Sequence, residues 1–329
     1  MPLSIEMEMF KIIIWRIKMK KVILSLLIIV MMLSSIACTQ EPSEVQDPEV
    51  PMAVTLPEVD RAGNDINVPE EINSIISLAP SITQVLVDLG FGDKLIAVDN
   101  QSKGIVELPE GIAYLDLMSP DAEQIIALNP DIILASTITQ QGGSDPLSAL
   151  KDMGVTIAYI PSSDSIEGIY EDINFISSLL QVTEKGNEMI EIMKSKIAGI
   201  KKMGDAIEDK KTVYFEISAA PYLYSFGKGV FLDEMISIIG AENVLADQTS
   251  WISVSDEVIL DNNPDVILTS VNYIENPVEE IMSRPGWDKI TAVQNKEVYY
   301  IDNMASSLPN HNIIKALEEM LKAVYPENK

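Results

Sequence analysis

Two glutamates occupy the same place in a repeated block and could act chemically as a matched pair. Residues 119–134 read SPDAEQIIALNPDIIL, and residues 253–268 read SVSDEVILDNNPDVIL. Serine, glutamate, Asn-Pro-Asp and the closing Ile-Leu recur at identical offsets, so Glu123 and Glu257 are equivalent. The helix dipole favours a first-turn glutamate in any protein. One glutamate on each of two related units would also suit a symmetric basic partner, and both interpretations stay open here.

The other residue types that carry chemistry are scarce. The chain of 329 residues has one histidine, His311, and one cysteine, Cys38. A His-based triad would need His311, and no G-x-S-x-G motif accompanies it. No Gly-rich phosphate loop follows a predicted strand, and no His/Cys cluster has metal-site spacing. We therefore predict a protein that is not an enzyme and has no cofactor of its own.

The repeated blocks lie within two regions of alternating strand and helix patterns. Continuous apolar strands that alternate with helices predict parallel sheets covered on both faces. The fold class is therefore α/β, with two Rossmann-like lobes of mainly parallel sheet joined by one long inter-lobe helix. The predicted strands are 72–78, 95–98, 131–134, 155–160, 212–217, 265–268 and 297–301. The predicted helices outside the linking region are 82–89, one opening at 119–121, 146–153, 230–239, 256–261, 278–282 and 312–323.

The linking region, residues 165–208, has apolar residues three and four positions apart and no proline. This spacing predicts amphipathic helices over 165–180 and 183–208. The second would be about 38 Å long at 1.5 Å per residue, enough to join two compact bodies. We predict an N-terminal lobe over 58–164 and a C-terminal lobe over 209–329.

Local signals specify several helix starts. Hydroxyl side chains commonly cap helices, so we expect Ser81, Ser119 and Thr183 to be N-caps, with Pro120 in the first helical position. Residues 58–69 are predicted to form a small hairpin that turns at Ala62-Gly63-Asn64.

The first 57 residues have the pattern of an exported, anchored protein. A basic start, an apolar run over 22–33 and small residues before Cys38 predict a signal peptide over 1–37. The segment around Cys38 resembles a bacterial lipobox, which implies cleavage before Cys38 and a lipid on its sulfur; the alternative is a buried, inert thiol. The polar, proline-containing residues 38–57 predict a flexible tether. A net charge of −27 argues against nucleic acid as a partner.

Several motifs in the right order resemble the helical-backbone solute-binding proteins of ABC importers for iron-siderophores, haem and vitamin B12. The first is IISLAPSIT at 75–83, the second is the block at 119–134, and the third is RPGW at 284–287. The last helix also fits, and the match covers about residues 58–328. The resemblance implies two lobes joined by a rigid helix, with a permease dimer and its ATPase subunits as partners. It also implies that Glu123 and Glu257 dock on permease arginines, that the protein is a monomer, and that it lies outside the cytoplasm, anchored to the outer face of the membrane.

Family ligands bind between the lobes, at loops that follow the strands. The positions that should face this cleft are Ser81, Gln101, Met118, Tyr222, Trp251, Asn272 and His311. Trp251 could instead be a core residue, and Met118 could instead be a hydrophobic staple at a helix start. Met118 and His311 are also potential axial ligands of a metal, although a lone loop histidine often has no special role.

The chain departs from the family in its basic residues. After the signal segment only Arg61 and Arg284 remain as arginines, and Leu308 stands near a position where vitamin B12 binders of the family and some other members often have arginine. This argues against an anionic catecholate siderophore and leaves a neutral or apolar-faced chelate, a corrinoid or haem. A surface adhesin and a hydrolase on the same scaffold are the alternative functions.

Overall fold

The computed structural model describes residues 56–105, 107–140 and 145–327, and its two larger sheets are separate and parallel. The N-terminal sheet contains β1 (Ile75–Leu78), β2 (Leu95–Asp99), β3 (Ala113–Leu115), β4 (Ile132–Ser136) and β5 (Thr156–Ile160). Its strand order is β3-β2-β1-β4-β5, and every pair is parallel. The expected signal peptide, Cys38 and the tether up to residue 55 lie outside the described residues.

The C-terminal sheet is shorter and also wholly parallel, with a small antiparallel pair beside it. The strands of this half are β6 (Thr212–Glu216), β7 (Tyr224–Phe226), β8 (Glu242–Asn243), β9 (Trp251–Ser253), β10 (Val266–Thr269) and β11 (Val298–Tyr300). The parallel sheet has the order β11-β10-β6-β8, and β7 pairs with β9. The expected α/β fold with mainly parallel sheets is confirmed.

Helices pack around both sheets. The N-terminal half and the linking region contain α1 (Pro80–Leu86), α2 (Ala122–Leu128), α3 (Ser148–Asp152), α4 (Ile166–Leu179) and α5 (Thr183–Asp205). The C-terminal half contains α6 (Phe231–Ile238), α7 (Asp256–Asn262), α8 (Pro277–Ser283), α9 (Thr291–Asn295), α10 (Asn303–Ser307) and α11 (Ile313–Val324). Across the ranges given above, no helix combines the length and apolar character needed to cross a membrane.

One large apolar cluster packs against one face of both sheets, and a separate smaller cluster covers the opposite face of each sheet. Along β4, Ile132 and Leu134 belong to a large apolar cluster, while Ile133 lies in a smaller one on the opposite face. The large cluster also contains Phe215 of β6 and residues of α4, α5 and α11. The alternation follows from the two-residue period of a strand. A continuous apolar core therefore links the two sheets through the helices between them.

The helix that links the halves is α5, and it is 23 residues long. It ends at Asp205 rather than at the predicted 208. Thr183 is not its cap, because hydrogen bonding already begins at the carbonyl of Val182, which accepts from the N–H groups of Lys185 and Gly186. The predicted break before this helix is confirmed, since α4 ends at Leu179.

Two other predicted caps are wrong for similar reasons. Helix α1 starts at Pro80, and the carbonyl of Ala79 accepts from Thr83 N–H at 2.9 Å, so Ser81 is already helical. Helix α2 is capped by Asp121, whose carboxylate accepts from Glu123 N–H at 2.9 Å, and Ser119 and Pro120 precede it. The predicted hairpin over 58–69 is reduced to a tight turn with one bridge between Val59 and Asp65.

The sequence repeat is also a repeat of structure. Helices α2 and α7 are capped at equivalent positions, by Asp121 and Ser255, and each ends on an asparagine in the left-handed conformation. In each block the aspartate after the proline then accepts hydrogen bonds from the start of the adjacent strand. The Asp131 carboxylate accepts from Ser74 N–H at 2.9 Å, and the Asp265 carboxylate accepts from Thr212 N–H at 2.9 Å. All of the described residues fall in one compact unit, so the lobe boundaries at 164 and 208 stay a prediction.

Candidate ligand-binding cleft

A cavity of about 330 Å³ lies between the two sheets, where the carboxyl ends of their strands meet. The segments that follow β1 to β5 line one side, and those that follow β10 and β11 line the other. Ligands of open parallel sheets usually bind beyond the carboxyl ends of the strands. The N-terminal half contributes the polar side chains of Ser81, Gln101, Ser136 and Ser162. The C-terminal half contributes Asn272, Asn303 and Ser307.

The lining combines polar and apolar side chains, and its described residues carry no charge. Serine, asparagine and glutamine supply its hydrogen-bonding groups, and Leu117, Ile138, Met304 and Leu308 supply apolar surface. None of the described residues that line the cavity is acidic, basic or histidine. Such a surface can bind amides, hydroxyls and apolar edges, but it offers no charged partner to an anion.

A buried aspartate fixes the turn that carries Gln101. Asp99 ends β2, and its Oδ1 accepts from Gln101 N–H at 2.8 Å while its Oδ2 accepts from the Ser102 hydroxyl at 2.6 Å. Ser102 also contacts the Thr83 hydroxyl at 3.2 Å, and Thr83 donates to Ser77 at 2.8 Å. Burial raises the pKa of Asp99, and these hydrogen bonds oppose that rise. Asp99 was not among the residues predicted for the cleft, although an aspartate directly after an apolar run is a signal for a turn.

The opposite side of the cavity is held by the start of α10. The Asn303 side chain donates to the Ser270 carbonyl at 2.7 Å, which ties α10 to the end of β10. Asp302 caps α10 by accepting from Ala305 N–H at 2.9 Å, and it also binds Lys315 of α11 at 2.6 Å. Met304 and Ser307 are thereby directed to the cleft from a fixed helix, although α10 was not predicted from the sequence.

Three of the seven residues expected at the cleft line it, namely Ser81, Gln101 and Asn272. Met118 follows the lining residue Leu117 but is 51% exposed, and Tyr222 is 82% exposed. Trp251 is partly buried and packs edge-on against Phe226 at the border of the core, with ring centroids 5.9 Å apart. The binding roles of these residues stay predictions, and Trp251 has the surroundings of a core residue.

His311 does not line this cleft, and its expected role towards the ligand stays a prediction. Its Nε2 is 2.6 Å from Oδ2 of Asp88, in a second cavity of about 650 Å³ between α5, α11 and the segment after α1. Within the described ranges, no group of three or more His, Cys, Asp or Glu could hold a metal ion.

The Asp88–His311 contact predicts a pH-dependent contribution to stability. Burial raises the pKa of Asp88, but hydrogen bonds from His311 and Gln84 outweigh it and lower that pKa below its usual value. A carboxyl with a lowered pKa stabilises the folded state above its unfolded pKa of about 3.9, and the contribution is lost as pH falls through the folded value. Asp88→Asn should therefore destabilise the protein at pH 6 and lose this effect once the pH has fallen below the folded-state pKa of the Asp88 carboxyl. Urea unfolding across this range measures the difference, with the exposed Asp93→Asn as control; a difference independent of pH would contradict the assignment.

The two repeated glutamates lie on the surface. Glu123 and Glu257 are exposed in the first turns of α2 and α7, at equivalent positions of the repeat. Beneath them, Ile125 and Ile259 anchor the two helices in separate apolar clusters on the outer faces of the sheets. Each glutamate therefore stands on a short helix attached to its own sheet, and its docking role stays a prediction.

Two parallel sheets joined by a long helix, with a cavity between their carboxyl ends, are the architecture expected of a solute-binding protein of the transport type. Comparisons with known proteins agree. The chain matches the family model described as periplasmic binding protein over residues 75–305. It is 31% identical over 270 residues to YvrC, an uncharacterized ABC transporter substrate-binding lipoprotein of Bacillus subtilis, which covers 82% of this chain and 85% of the relative. The chain belongs to this periplasmic binding protein family, and as the substrate-binding protein of an ABC importer it functions outside the cytoplasm.

Two further relatives extend the comparison. A vitamin B12-binding protein of Vibrio campbellii is 27% identical over 251 residues, which is 75% of this chain and 87% of that protein. A solved structure of a periplasmic solute-binding protein of Staphylococcus epidermidis, described as a possible iron-binding protein, is 29% identical with a TM-score of 0.69. That match covers 78% of this chain and all of the other. The expected resemblance to solute-binding proteins is confirmed.

Proposed function

We propose that this protein captures a cobalamin-type chelate in the inter-lobe cleft and delivers it to a permease dimer. The observation that carries the proposal is the uncharged lining of the cavity. A corrinoid has a periphery rich in amide groups, and serine, asparagine and glutamine side chains can both donate to and accept from amides. A vitamin B12-binding protein is among the relatives, which supports the same choice.

Haem and ferric catecholate siderophores fit this cavity less well. Both have anionic groups, and an anion placed against uncharged surface loses hydration without gaining a charged partner. The cavity encloses only part of a molecule as large as cobalamin, so the rest of the ligand would stay in contact with solvent. The corrin would then lie against Leu308 and Met304, with its amides directed to Gln101 and Asn272.

The remaining parts of the proposal concern anchoring and docking. Cys38 would carry the lipid, residues 38–57 would be the tether, and the monomeric protein would remain on the outer face of the membrane. Glu123 and Glu257 would contact arginines of the permease, one on each subunit, through charge-assisted hydrogen bonds. Nothing in the described residues favours the adhesin or the hydrolase.

The test is to titrate the purified protein with cobalamin, haem and a ferric catecholate siderophore in turn. Calorimetry measures the affinity and the stoichiometry for each ligand. We expect saturation at one equivalent with cobalamin, and binding of the other two at least about 100-fold weaker, a difference of about 2.7 kcal/mol. Tight binding of haem or of the siderophore with no response to cobalamin would contradict the proposed ligand and leave the transport role intact.

Leu308→Arg should reverse part of this selectivity. Leu308 lines the cavity, and an arginine there would supply the charged partner that the lining lacks, as a charge-assisted hydrogen bond. We expect affinity for the catecholate chelate to rise about tenfold or more, while affinity for cobalamin changes much less. Leu308→Met, which keeps an apolar side chain of similar volume, is the matched control and should leave both affinities within a few-fold of wild type. An unchanged selectivity in the arginine variant would place the ligand elsewhere.

A further inference from the structure

The docking helix of the C-terminal half is attached to the protein core by a contact that the N-terminal docking helix lacks. The indole Nε1–H of Trp287 donates to Oδ1 of Asp256 at 2.7 Å. Trp287 is completely buried, whereas Asp256 is exposed, begins α7 and directly precedes Glu257. A buried side chain therefore holds the first turn of the helix that presents the glutamate.

The indole is itself held by a buried charged group. The Arg284 guanidinium lies over the Trp287 ring, 4.1 Å from the ring centroid. It donates to both carboxylate oxygens of Glu216, at 2.8 and 3.2 Å, and also binds Glu280. Burial raises the pKa of the Glu216 carboxyl, and the opposing guanidinium offsets part of that rise. Because Glu216 ends β6, the contacts run without interruption from the sheet to the docking helix.

A buried ion pair of this kind adds little net stability compared with apolar packing, because desolvation of both charges opposes their attraction. The presence of the Arg284–Glu216 pair is better explained by the fixed geometry that it imposes on its neighbours. The planar guanidinium can engage a carboxylate through two hydrogen bonds and stack on an aromatic ring at the same time. Arg284 satisfies both requirements, and this fixes the orientation of the Trp287 indole towards Asp256.

Among the described residues of the N-terminal half, this attachment has no counterpart at the equivalent position. In the repeat, Asp256 aligns with Ala122, which has no side chain that can accept a hydrogen bond. In the part of the chain that the structure describes, the start of helix α2 is held by the Asp121 cap, whereas the start of α7 has both the Ser255 cap and the Trp287 contact. The two otherwise equivalent docking helices are therefore held differently.

We infer that Trp287 and Asp256 are positioning residues for Glu257, which fix the first turn of α7 so that its glutamate is ordered before the permease is met. The inference rests on the proposed docking role of Glu257. Ordering a contact group in advance lowers the entropy cost of binding. Glu257 of the C-terminal half would thus be the rigidly held glutamate of the docking pair, and Glu123 of the N-terminal half would be the more adaptable one.

Three variants distinguish the effect of the Trp287–Asp256 hydrogen bond from the effect of the negative charge on Asp256. Asp256→Ala removes the acceptor, Trp287→Phe removes the donor but keeps a ring, and Asp256→Asn removes the charge while its Oδ1 can still accept from the indole. We expect hydrogen exchange of the amides at 258–262 to rise about tenfold or more in the first two variants, because a hydrogen bond to a charged group is lost. In Asp256→Asn this exchange should stay close to wild type, and in every variant the amides at 124–128 of α2 should be unchanged.

The same variants are then tested against the permease dimer with its ATPase subunits in lipid nanodiscs. Asp256→Ala and Trp287→Phe should weaken binding about tenfold while cobalamin affinity is unchanged, and Asp256→Asn should bind like wild type. Equal rises in exchange at α2 and α7, or permease affinity unchanged in Asp256→Ala, would overturn the inference. Because Asp256 is exposed, Asp256→Ala gives this answer even if Trp287→Phe fails to fold. If Glu257→Ala itself binds the permease like wild type, the proposed docking function fails instead.

Discussion

Replacing both Glu123 and Glu257 by alanine is expected to abolish uptake while ligand affinity stays at the wild-type value. Both carboxylates are exposed and neither lines the cleft. A charge-assisted hydrogen bond contributes about 1.5–3 kcal/mol, so the loss of two should weaken permease docking by at least about 100-fold. Each single variant should show roughly the square root of that effect, because the two sites lie on different sheets and share no contact among the described residues.

The measurement compares permease binding, transport-coupled ATPase activity and ligand affinity in the same preparations. A double variant of Glu188 and Glu191, which are exposed on α5, removes the same total charge and is the matched control. If this control lost docking as well, long-range attraction by the acidic surface would explain the result. If the Glu123/Glu257 variant lost ligand affinity instead, the separation between binding and docking sites would be wrong.

Much of the fold was predictable because local and global signals agree in this chain. The apolar runs that predicted β1, β4, β6 and β10 are buried on both faces, as the strands of a covered parallel sheet must be. The repeat predicted equivalent placement of Glu123 and Glu257, since identical offsets in two similar units give similar positions. The N-cap residues of the helices were less predictable. The first hydrogen bond of a helix can go to the backbone carbonyl of a residue without a capping side chain, or to the carboxylate of an aspartate near the predicted hydroxyl, so the start shifts by one or two residues.

The cleft was only partly predictable because tertiary contacts decide which side chains reach it. Ser81, Gln101 and Asn272 lie directly after strands, and chain position alone placed them at the cleft. His311 stands in a loop whose direction depends on the Asp88 contact, 223 positions away in the sequence. Trp251 was ambiguous because only the positions of Phe226 and Phe231 show that it packs on the core. Asp99 was missed because its contacts with Ser102 and Thr83 require the folded turn.

Gly204→Ala should be strongly destabilising, because Gly204 is where the long helix meets the C-terminal half. A Cβ there would lie 2.7 Å from the Gly240 nitrogen and closer still to the carbonyl oxygen of Ile238. These are backbone atoms, so no side-chain rotation can relieve the contact. Gly240 has φ of +80° and ends its helix in a conformation that also requires glycine. Overpacking of this kind costs about 1–3 kcal/mol and occasionally more, and we expect the upper end or beyond.

Gly199→Ala, five positions earlier on the same helix, is the matched control with the opposite sign. Gly199 is exposed, and a Cβ there meets nothing within 4 Å. Alanine should stabilise this helix by about 0.5–1 kcal/mol relative to glycine. Thermal unfolding should therefore show a lowered midpoint for Gly204→Ala and an unchanged or raised midpoint for Gly199→Ala. Equal midpoints in the two variants would mean that the close approach of the helix to Gly240 does not exist in solution.

The Gly204 variant also tests whether the long helix sets the spacing of the docking pair. The clash can be relieved only by moving α5 away from the end of α6, and this displaces the C-terminal sheet relative to the helix. The distance between Glu123 and Glu257 would then change while the side chains of the cleft remain intact. At a temperature where the variant is still folded, we expect permease coupling to fall more than ligand affinity. A proportional loss of both would instead indicate that the cleft and the docking surface are deformed together.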